Sequence, residues 1–213
     1  MSTSEALAAA RREYARAGLS ESDLTASPFD LFQRWYDEAA DLAEPNAMVV
    51  ATTSADGQPS ARMVLLKGAD ENGFLFFTNL ASHKGRDLAA NPRAALVFPW
   101  HPLERQVRIE GVVETLTEAE VAAYFATRPR GSQLGAWASH QSRPVSSRAE
   151  LEAAYQEAQD MFGDAEVTVP PEWGGYRVRP ERIEFWQGRI SRMHDRLEYA
   201  REGDGWRTRR LAP

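Results

Sequence analysis

Met48-Val-Val-Ala-Thr-Thr53, Ala61-Arg-Met-Val-Leu-Leu-Lys67 and Phe74-Leu-Phe-Phe-Thr78 are the runs that decide the fold. Each is short and rich in β-branched or aromatic residues. The gaps between them hold Asp56-Gly57 and Asp70-Glu-Asn-Gly73, residues that tight turns between antiparallel strands prefer. The three runs therefore predict an antiparallel meander. Alternation in the middle run sets Arg62, Val64 and Leu66 on one face and Met63, Leu65 and Lys67 on the other. Arg62 and Lys67 can share a site only if a bulge or a strand end intervenes.

On the N-terminal side of the meander, Ser27-Pro28 supplies an N-cap and a first helical proline. Phe29, Phe32, Trp35, Tyr36 and Ala39 then recur at helical spacing, which predicts a helix over 28–43 with its aromatics in the core. Residues 1–26 read as a separate flexible or helical segment carrying Arg11 and Tyr14, ahead of a single domain over 27–213. On the C-terminal side, Ser82 can cap a helix over 83–90, and strands follow at 94–99 and 105–115. Thr117-Glu-Ala-Glu120 resembles a capping box for a helix to Ala126. Arg128-Pro-Arg-Gly-Ser132 interrupts it, with a short helix over 133–139 and a long polar one over 147–162. After the breaker-rich Val169-Pro-Pro-Glu-Trp-Gly-Gly175, strands return at 176–178, 182–187, 196–201 and 206–211. Strands at both ends and helices between them predict an α+β protein, its antiparallel sheet closing as a barrel.

Composition excludes several classes of chemistry. The 213 residues contain no cysteine, which removes disulfides, thiolate nucleophiles and cysteine-held metals. Four histidines are scattered without metal-ligand spacing. A net charge of −6 argues against a broad nucleic-acid surface. No apolar run reaches the roughly 20 residues of a membrane span, and the cytoplasm is the simplest location. There is no Gly-x-Gly-x-x-Gly after a strand, no Gly-x-x-x-x-Gly-Lys-Ser/Thr and no Gly-x-Ser-x-Gly, so dinucleotide-binding, phosphate-loop and serine-elbow enzymes are not indicated. Any redox chemistry needs an organic cofactor. Of 25 basic residues, only Lys67 and Lys84 are lysine.

Two stretches combine cations with groups suited to a planar anion. Glu184-Phe-Trp-Gln-Gly-Arg-Ile-Ser-Arg-Met-His-Asp-Arg196 brings Trp186, Arg192, His194 and Arg196 together at a strand end. Arg128 and Arg130 flank Ser132 at a helix start, where free N–H groups suit a phosphate monoester. An amphipathic hairpin and an exposed loop are the plain alternatives for the two.

Arg62-Met-Val-Leu-Leu-Lys67, Phe77-Thr-Asn, Leu103-Glu-Arg-Gln-Val107, Tyr124-Phe-x-x-Arg-Pro-Arg-x-Ser-Gln133, Gly135-Ala-Trp-Ala-Ser-x-Gln-Ser142, Trp173-Gly-Gly and His194-Asp-Arg196 occur in one order along the chain. Together they resemble the pyridoxine/pyridoxamine 5′-phosphate oxidases, from about Arg11 to Pro213. The resemblance implies a homodimer of split β-barrels with FMN at the subunit interface. It implies FMN contacts from Arg62, Met63, Val64, Leu65, Leu66, Lys67, Phe77, Thr78, Lys84, Gln106, Gln141, Ser142, Trp186 and Arg196. His83 stands where members often carry arginine, a departure that weakens phosphate pairing. Lys67, Tyr124, Arg128 and Ser132 would hold the substrate phosphate, Arg11 and Tyr14 would fold over it, and Arg192 and His194 would orient its reacting carbon. The implied reaction is oxidation of pyridoxine or pyridoxamine 5′-phosphate to pyridoxal 5′-phosphate, with dioxygen giving hydrogen peroxide. A non-catalytic flavin-binding module and a reductase with another electron donor are the alternatives.

Overall fold

The computed structural model describes Thr3, Tyr14 and residues 18–213, and Arg11 lies outside that range. The opening runs become β1 (Ala47–Thr53), β2 (Pro59–Leu65), a short β3 (Gly68–Asp70) and β4 (Gly73–Asn79). β1 and β2 pair antiparallel from Ala47 opposite Leu65 to Thr53 opposite Pro59. After Leu66 the chain changes neighbour. The Leu66 N–H donates to the Asn46 carbonyl, the Lys67 N–H donates to the Leu75 carbonyl, both at 2.8 Å, and β3 pairs with β4. Lys67 is therefore not a further position of the β2 pleat, and the alternation that separates it from Arg62 stops before reaching it.

The remaining elements are α1 (Pro28–Glu38), α2 (His83–Ala90), β5 (Arg93–Trp100), β6 (Arg105–Thr115), α3 (Glu118–Ala126), α4 (Arg130–Ala138), α5 (Arg148–Phe162), β7 (Trp173–Gln187), β8 (Asp195–Glu202) and β9 (Gly205–Arg210). Strands hydrogen-bond in the order β2-β1-β5-β6-β7-β4-β3, with β8 on β7 and β9 on β8. The expected α+β class with an antiparallel sheet is present. Side chains of Ser27, Ser82, Thr117 and Ser147 each accept a backbone N–H at the start of α1, α2, α3 and α5. The short polar caps of the sequence thus fix four helix starts.

Three boundaries differ from the sequence expectation by more than two residues. α1 stops at Glu38, and the chain turns through Ala39 and a left-handed Glu44 (φ 51°) before Pro45. α4 begins at Arg130, so Ser132 sits inside its first turn. The strands expected at 176–178 and 182–187 are one strand, β7, which also takes in Trp173-Gly-Gly. Glycine is what permits this: a Cβ on Gly174 would stand 2.8 Å from Leu80 Cδ1, and one on Gly175 2.7 Å from Leu116 Cδ1.

The chain divides into two compact units. One comprises residues 1–45, 97–109 and 182–213. In it α1 buries Leu31, Phe32 and Trp35. Phe32 meets Phe98 edge-on at 5.1 Å and Trp35 meets Phe185 at 5.2 Å. Phe32 and Trp35 form core, as expected, while Phe29 and Tyr36 are half-buried. The other comprises residues 46–96 and 110–181, with a core of Leu116, Val121, Phe125, Leu134, Ala158, Val167 and Trp173. Among the described residues no helix is long and apolar enough to cross a membrane.

Candidate active site

A cleft of about 1260 Å³ opens in the unit formed by residues 46–96 and 110–181. Fourteen of the residues singled out from the sequence line it: Arg62, Met63, Val64, Leu65, Lys67, Phe77, Thr78, His83, Lys84, Tyr124, Arg128, Ser132, Gln141 and Ser142. Leu66 is not among them; it is 8% exposed, and its backbone pairs with Asn46. Gln106, Trp186, Arg192, His194, Arg196 and Tyr14 belong to the other unit.

One cation group gathers where α2 begins. The Lys84 side chain is carried inward by the first turn of α2, and the residue is only 7% exposed. Its ammonium donates to Thr78 Oγ1 and Gln141 Oε1, both at 2.7 Å, and to Ser82 Oγ at 3.3 Å. All three acceptors are neutral. Burial first, and the nearby Arg62 charge second, pull its pKa from the ordinary 10.5 down to about 8. Arg62 reaches the same region from β2, donating to Thr52 Oγ1 and Ser60 Oγ at 2.6 Å each. Asp87 Oδ2 lies 3.8 Å from Arg62 and accepts from Thr52 and Ser60. Burial raises the Asp87 pKa, but those two hydroxyls, His83 and Arg62 together outweigh it and leave a net lowering. A buried carboxylate thus orients the arginine through two hydroxyls. His83 Nε2 is 3.5 Å from Asp87 Oδ1, and its side chain is 57% exposed at the cleft edge. Ser142, also in the lining, holds a left-handed backbone (φ 70°), which is costly for a residue with a Cβ.

A second cation group lies along α3 and the start of α4. Arg128 is stacked over aromatic rings, its guanidinium carbon 4.8 Å from the Trp173 centroid and 5.6 Å from that of Phe125. Its Nη1 is buried and has no hydrogen-bond partner. Burial lowers its pKa, with Tyr124 opposing. Tyr124 stacks on Phe77 at 3.9 Å and 12°, and Phe77 stacks on Trp173 at 5.5 Å and 8°. Lys67 Nζ is 6.0 Å from the Tyr124 ring. Ser132 is the third residue of α4, and its N–H already donates to the Pro129 carbonyl at 2.8 Å. The group that Ser132 offers is therefore its hydroxyl, a correction to the helix-start reading.

The 184–196 stretch builds a different surface. Trp186 and His194 lie 4.6 Å apart, and the Tyr14 ring stands edge-on to both, at 5.8 and 5.7 Å. His194 Nδ1 accepts the Arg189 backbone N–H at 3.1 Å. In the neutral ring that bond leaves the proton on Nε2, so the free edge of His194 is a donor. Ser191 and Arg192 have successive left-handed conformations, φ 56° and 60°. Neither is glycine, and such strain costs roughly 1–2 kcal/mol per residue. Arg192 is exposed and makes no ion pair among the described residues. Arg196 is bound bidentately by Glu184, at 2.7 and 2.9 Å, which raises its pKa, and it also donates to the Ala212 carbonyl. Gln106 is half-buried in β6. Arg189 offers its backbone N–H to His194 and sets its side chain beside Asp195, 3.5 Å from Oδ2.

Several participants had no signal in the sequence. Thr52, Ser60 and Asp87 support Arg62 from positions far apart in the chain. Only Asp87 offered a clue, four residues after His83 on one helix face.

Residues 37–162 match the family model described as pyridoxamine 5′-phosphate oxidase, and residues 173–213 match the pyridoxine 5′-phosphate oxidase C-terminal dimerisation region. A pyridoxine/pyridoxamine 5′-phosphate oxidase from Nocardioides sp. is 62% identical, the match covering 97% of this chain and 98% of that protein. Another of that description from Rubrobacter xylanophilus is 61% identical over 97% of this chain and 96% of the relative. PhzG from Burkholderia lata 383, solved in complex with tetrahydrophenazine-1-carboxylic acid, superimposes with a TM-score of 0.85 at 33% identity, covering 92% of this chain and 98% of that one. These matches agree with the split-barrel class and the oxidoreductase activity expected from the motifs, and the chain belongs to the pyridoxamine 5′-phosphate oxidase family.

Proposed function

We propose that this protein is an FMN-dependent oxidase that converts pyridoxine 5′-phosphate or pyridoxamine 5′-phosphate to pyridoxal 5′-phosphate. In this reading dioxygen is the electron acceptor and hydrogen peroxide the second product. The protein works as a homodimer with FMN at the subunit interface, in the cytoplasm. The observation that carries the reading is a single cleft with two cation groups, each ending in a donor without an anionic partner: Lys84 Nζ among neutral oxygens and the orphaned Arg128 Nη1. Two phosphate monoesters, one on FMN and one on the substrate, fit that pair of vacant charges.

The residues divide accordingly. Arg62 and Lys84, with Thr78, Gln141, Ser142 and the more weakly suited His83, would hold the FMN phosphate and ribityl chain. The β2 segment from Met63 to Leu65 offers an edge for the flat ring. Gln106, Trp186 and Arg196 are assigned to FMN on the family pattern alone. Lys67, Tyr124, Arg128 and the Ser132 hydroxyl would hold the substrate phosphate. When bound, FMN supplies the acceptor for the hydride that leaves C4′, and dioxygen restores it. The protein's contribution would be position: residues that hold the two phosphates would fix the reacting groups relative to one another before reaction. Arg192 stays protonated and acts electrostatically. His194, with its proton on Nε2, donates to the substrate and orients the C4′ hydroxyl or amine.

The test is aerobic incubation of the FMN-loaded protein with pyridoxine 5′-phosphate. Pyridoxal 5′-phosphate and hydrogen peroxide should form in equal amounts. Their absence would sink the oxidase reading.

A further inference from the structure

Asp195, the residue after His194, uses both of its carboxylate oxygens. Oδ2 accepts the Leu19 N–H at 3.0 Å and lies 3.5 Å from Arg189 Nε, while Oδ1 accepts from Arg210 Nη1 at 2.8 Å. Arg210 extends the set. Its Nε and Nη2 donate to the two oxygens of Glu21 at 2.8 and 3.0 Å, and Nη2 also donates to the Leu19 carbonyl at 3.2 Å. One carboxylate and one guanidinium therefore tie residues 19–21 to the start of β8 and the end of β9.

Leu19 is buried, and Gly18 runs so close to this cluster that a Cβ would stand 2.7 Å from Arg189 Nη1. Upstream of the cluster, Tyr14 leans on Trp186 and His194. Its seat is made by Gly188, where a Cβ would come within 2.7 Å of Tyr14 Cγ. The side chains of Arg210 and Glu21 are 39% and 63% exposed, and ion pairs so open to water add little to folding stability. The well-directed bonds at Leu19 act instead on where this segment lies.

We propose that Arg210 and Asp195 are positioning residues for the reaction: by clasping residues 19–21 they hold the Tyr14 ring against Trp186 and His194 and complete a wall for the substrate. The proposal rests on the reading of His194 as a substrate-contacting group. A loosened clasp weakens substrate capture and leaves the chemical step alone, so it raises KM more than it lowers kcat.

The experiment compares wild type, Arg210→Ala, Arg210→Lys, Tyr14→Ala and the Arg210→Ala/Tyr14→Ala double variant as FMN-loaded protein. Arg210→Ala should raise KM for pyridoxine 5′-phosphate roughly fivefold or more, with kcat within about twofold and FMN affinity unchanged. Arg210→Lys should recover part of the loss. In the Tyr14→Ala background, Arg210→Ala should add nothing. An unchanged KM in Arg210→Ala, or KM effects that multiply in the double variant, overturns the proposal. Glu21→Gln, a milder surface change, should shift KM the same way if Arg210→Ala folds poorly; no shift there overturns it equally. Amide exchange at Leu19 reads the clasp without turnover and should speed up in Arg210→Ala. If wild type is inactive while Leu19 loses protection in the variant, the oxidase reading fails and the clasp survives; unchanged protection removes the clasp itself.

Discussion

FMN affinity should fall as pH rises through the range where Lys84 loses its proton. Lys84 is buried among Thr78, Ser82 and Gln141 with its pKa drawn down to about 8, so ligand-free protein sheds this charge far earlier than an exposed lysine does. A phosphate dianion against the ammonium favours the charged form and moves the pKa back toward 10.5. If the return is complete, linkage makes the dissociation constant roughly eightfold larger at about pH 9 than at about pH 7.5. The phosphate stays a dianion over that interval and Arg62 stays protonated, so neither adds to the slope. The sign for folding is opposite. Above pH 8 the folded, ligand-free chain has released a proton that the unfolded chain still binds, so this group adds stability as pH rises toward 10.5. Quenching of flavin fluorescence on titration of FMN-free protein measures the constant. Lys84→Met should bind more weakly at the lower pH, by roughly tenfold or more for the loss of a charge-assisted hydrogen bond, and should show no such slope. A flat wild-type profile, or an equal slope in Lys84→Met, would refute the placement of phosphate at Lys84.

Three further outcomes can be checked. Arg128→Met should raise KM for phosphorylated substrates roughly tenfold or more while leaving the melting temperature level or higher, because it removes the buried, unpartnered Nη1 while keeping apolar contact with Trp173 and Phe125; steady-state kinetics and a thermal melt together decide. His194→Gln, whose amide can donate as Nε2 does, should keep kcat/KM within about tenfold of wild type, and His194→Phe should fall well below it. Equal losses in the two would remove the donor role. Gly135→Ala should stabilise the fold by up to about 1 kcal/mol in a thermal melt, since this mid-helix glycine in α4 has nothing within 4 Å of where its Cβ would stand.

How much of this was legible in the sequence depended on whether the deciding contacts were local. Thr117 with Glu120, and Ser82, announce helix starts because cap and partner lie within a few residues, and α2 and α3 begin where those caps predict. β7 was misread at two breakers whose explanation is distant. Pro180 sits inside the strand, and β7 passes Gly111, where a Cβ would stand 2.0 Å from the Arg179 carbonyl oxygen. Nothing near residue 180 in the chain reports that clearance. The separation of Arg62 from Lys67 was a correct inference from a continuous pleat. The strand end that it allowed for is present: Leu66 still bonds to Asn46 beside β1, and at Lys67 the chain passes to Leu75 of β4. The support of Arg62 by Thr52, Ser60 and Asp87 is likewise a product of folding.

The two lysines give the clearest link from composition to site. In a chain that otherwise uses arginine for every cation, both line the same cleft, and the surroundings of Lys84 account for the exception. Three neutral oxygens converge on a single nitrogen at 2.7, 2.7 and 3.3 Å, which suits the three tetrahedral donors of an ammonium. A planar guanidinium would spread its five donors over a wider arc and displace the Gln141 side chain. Lysine also brings a pKa that burial can move into the working range, whereas the nearby Arg62 keeps its charge at any physiological pH. Arg62 therefore supplies a permanent charge and Lys84 one that strengthens when an anion arrives. A phosphate held at Lys84 would relieve the cost of burying it, and affinity at that end of the cleft would then be a property of the lysine's surroundings as much as of its charge.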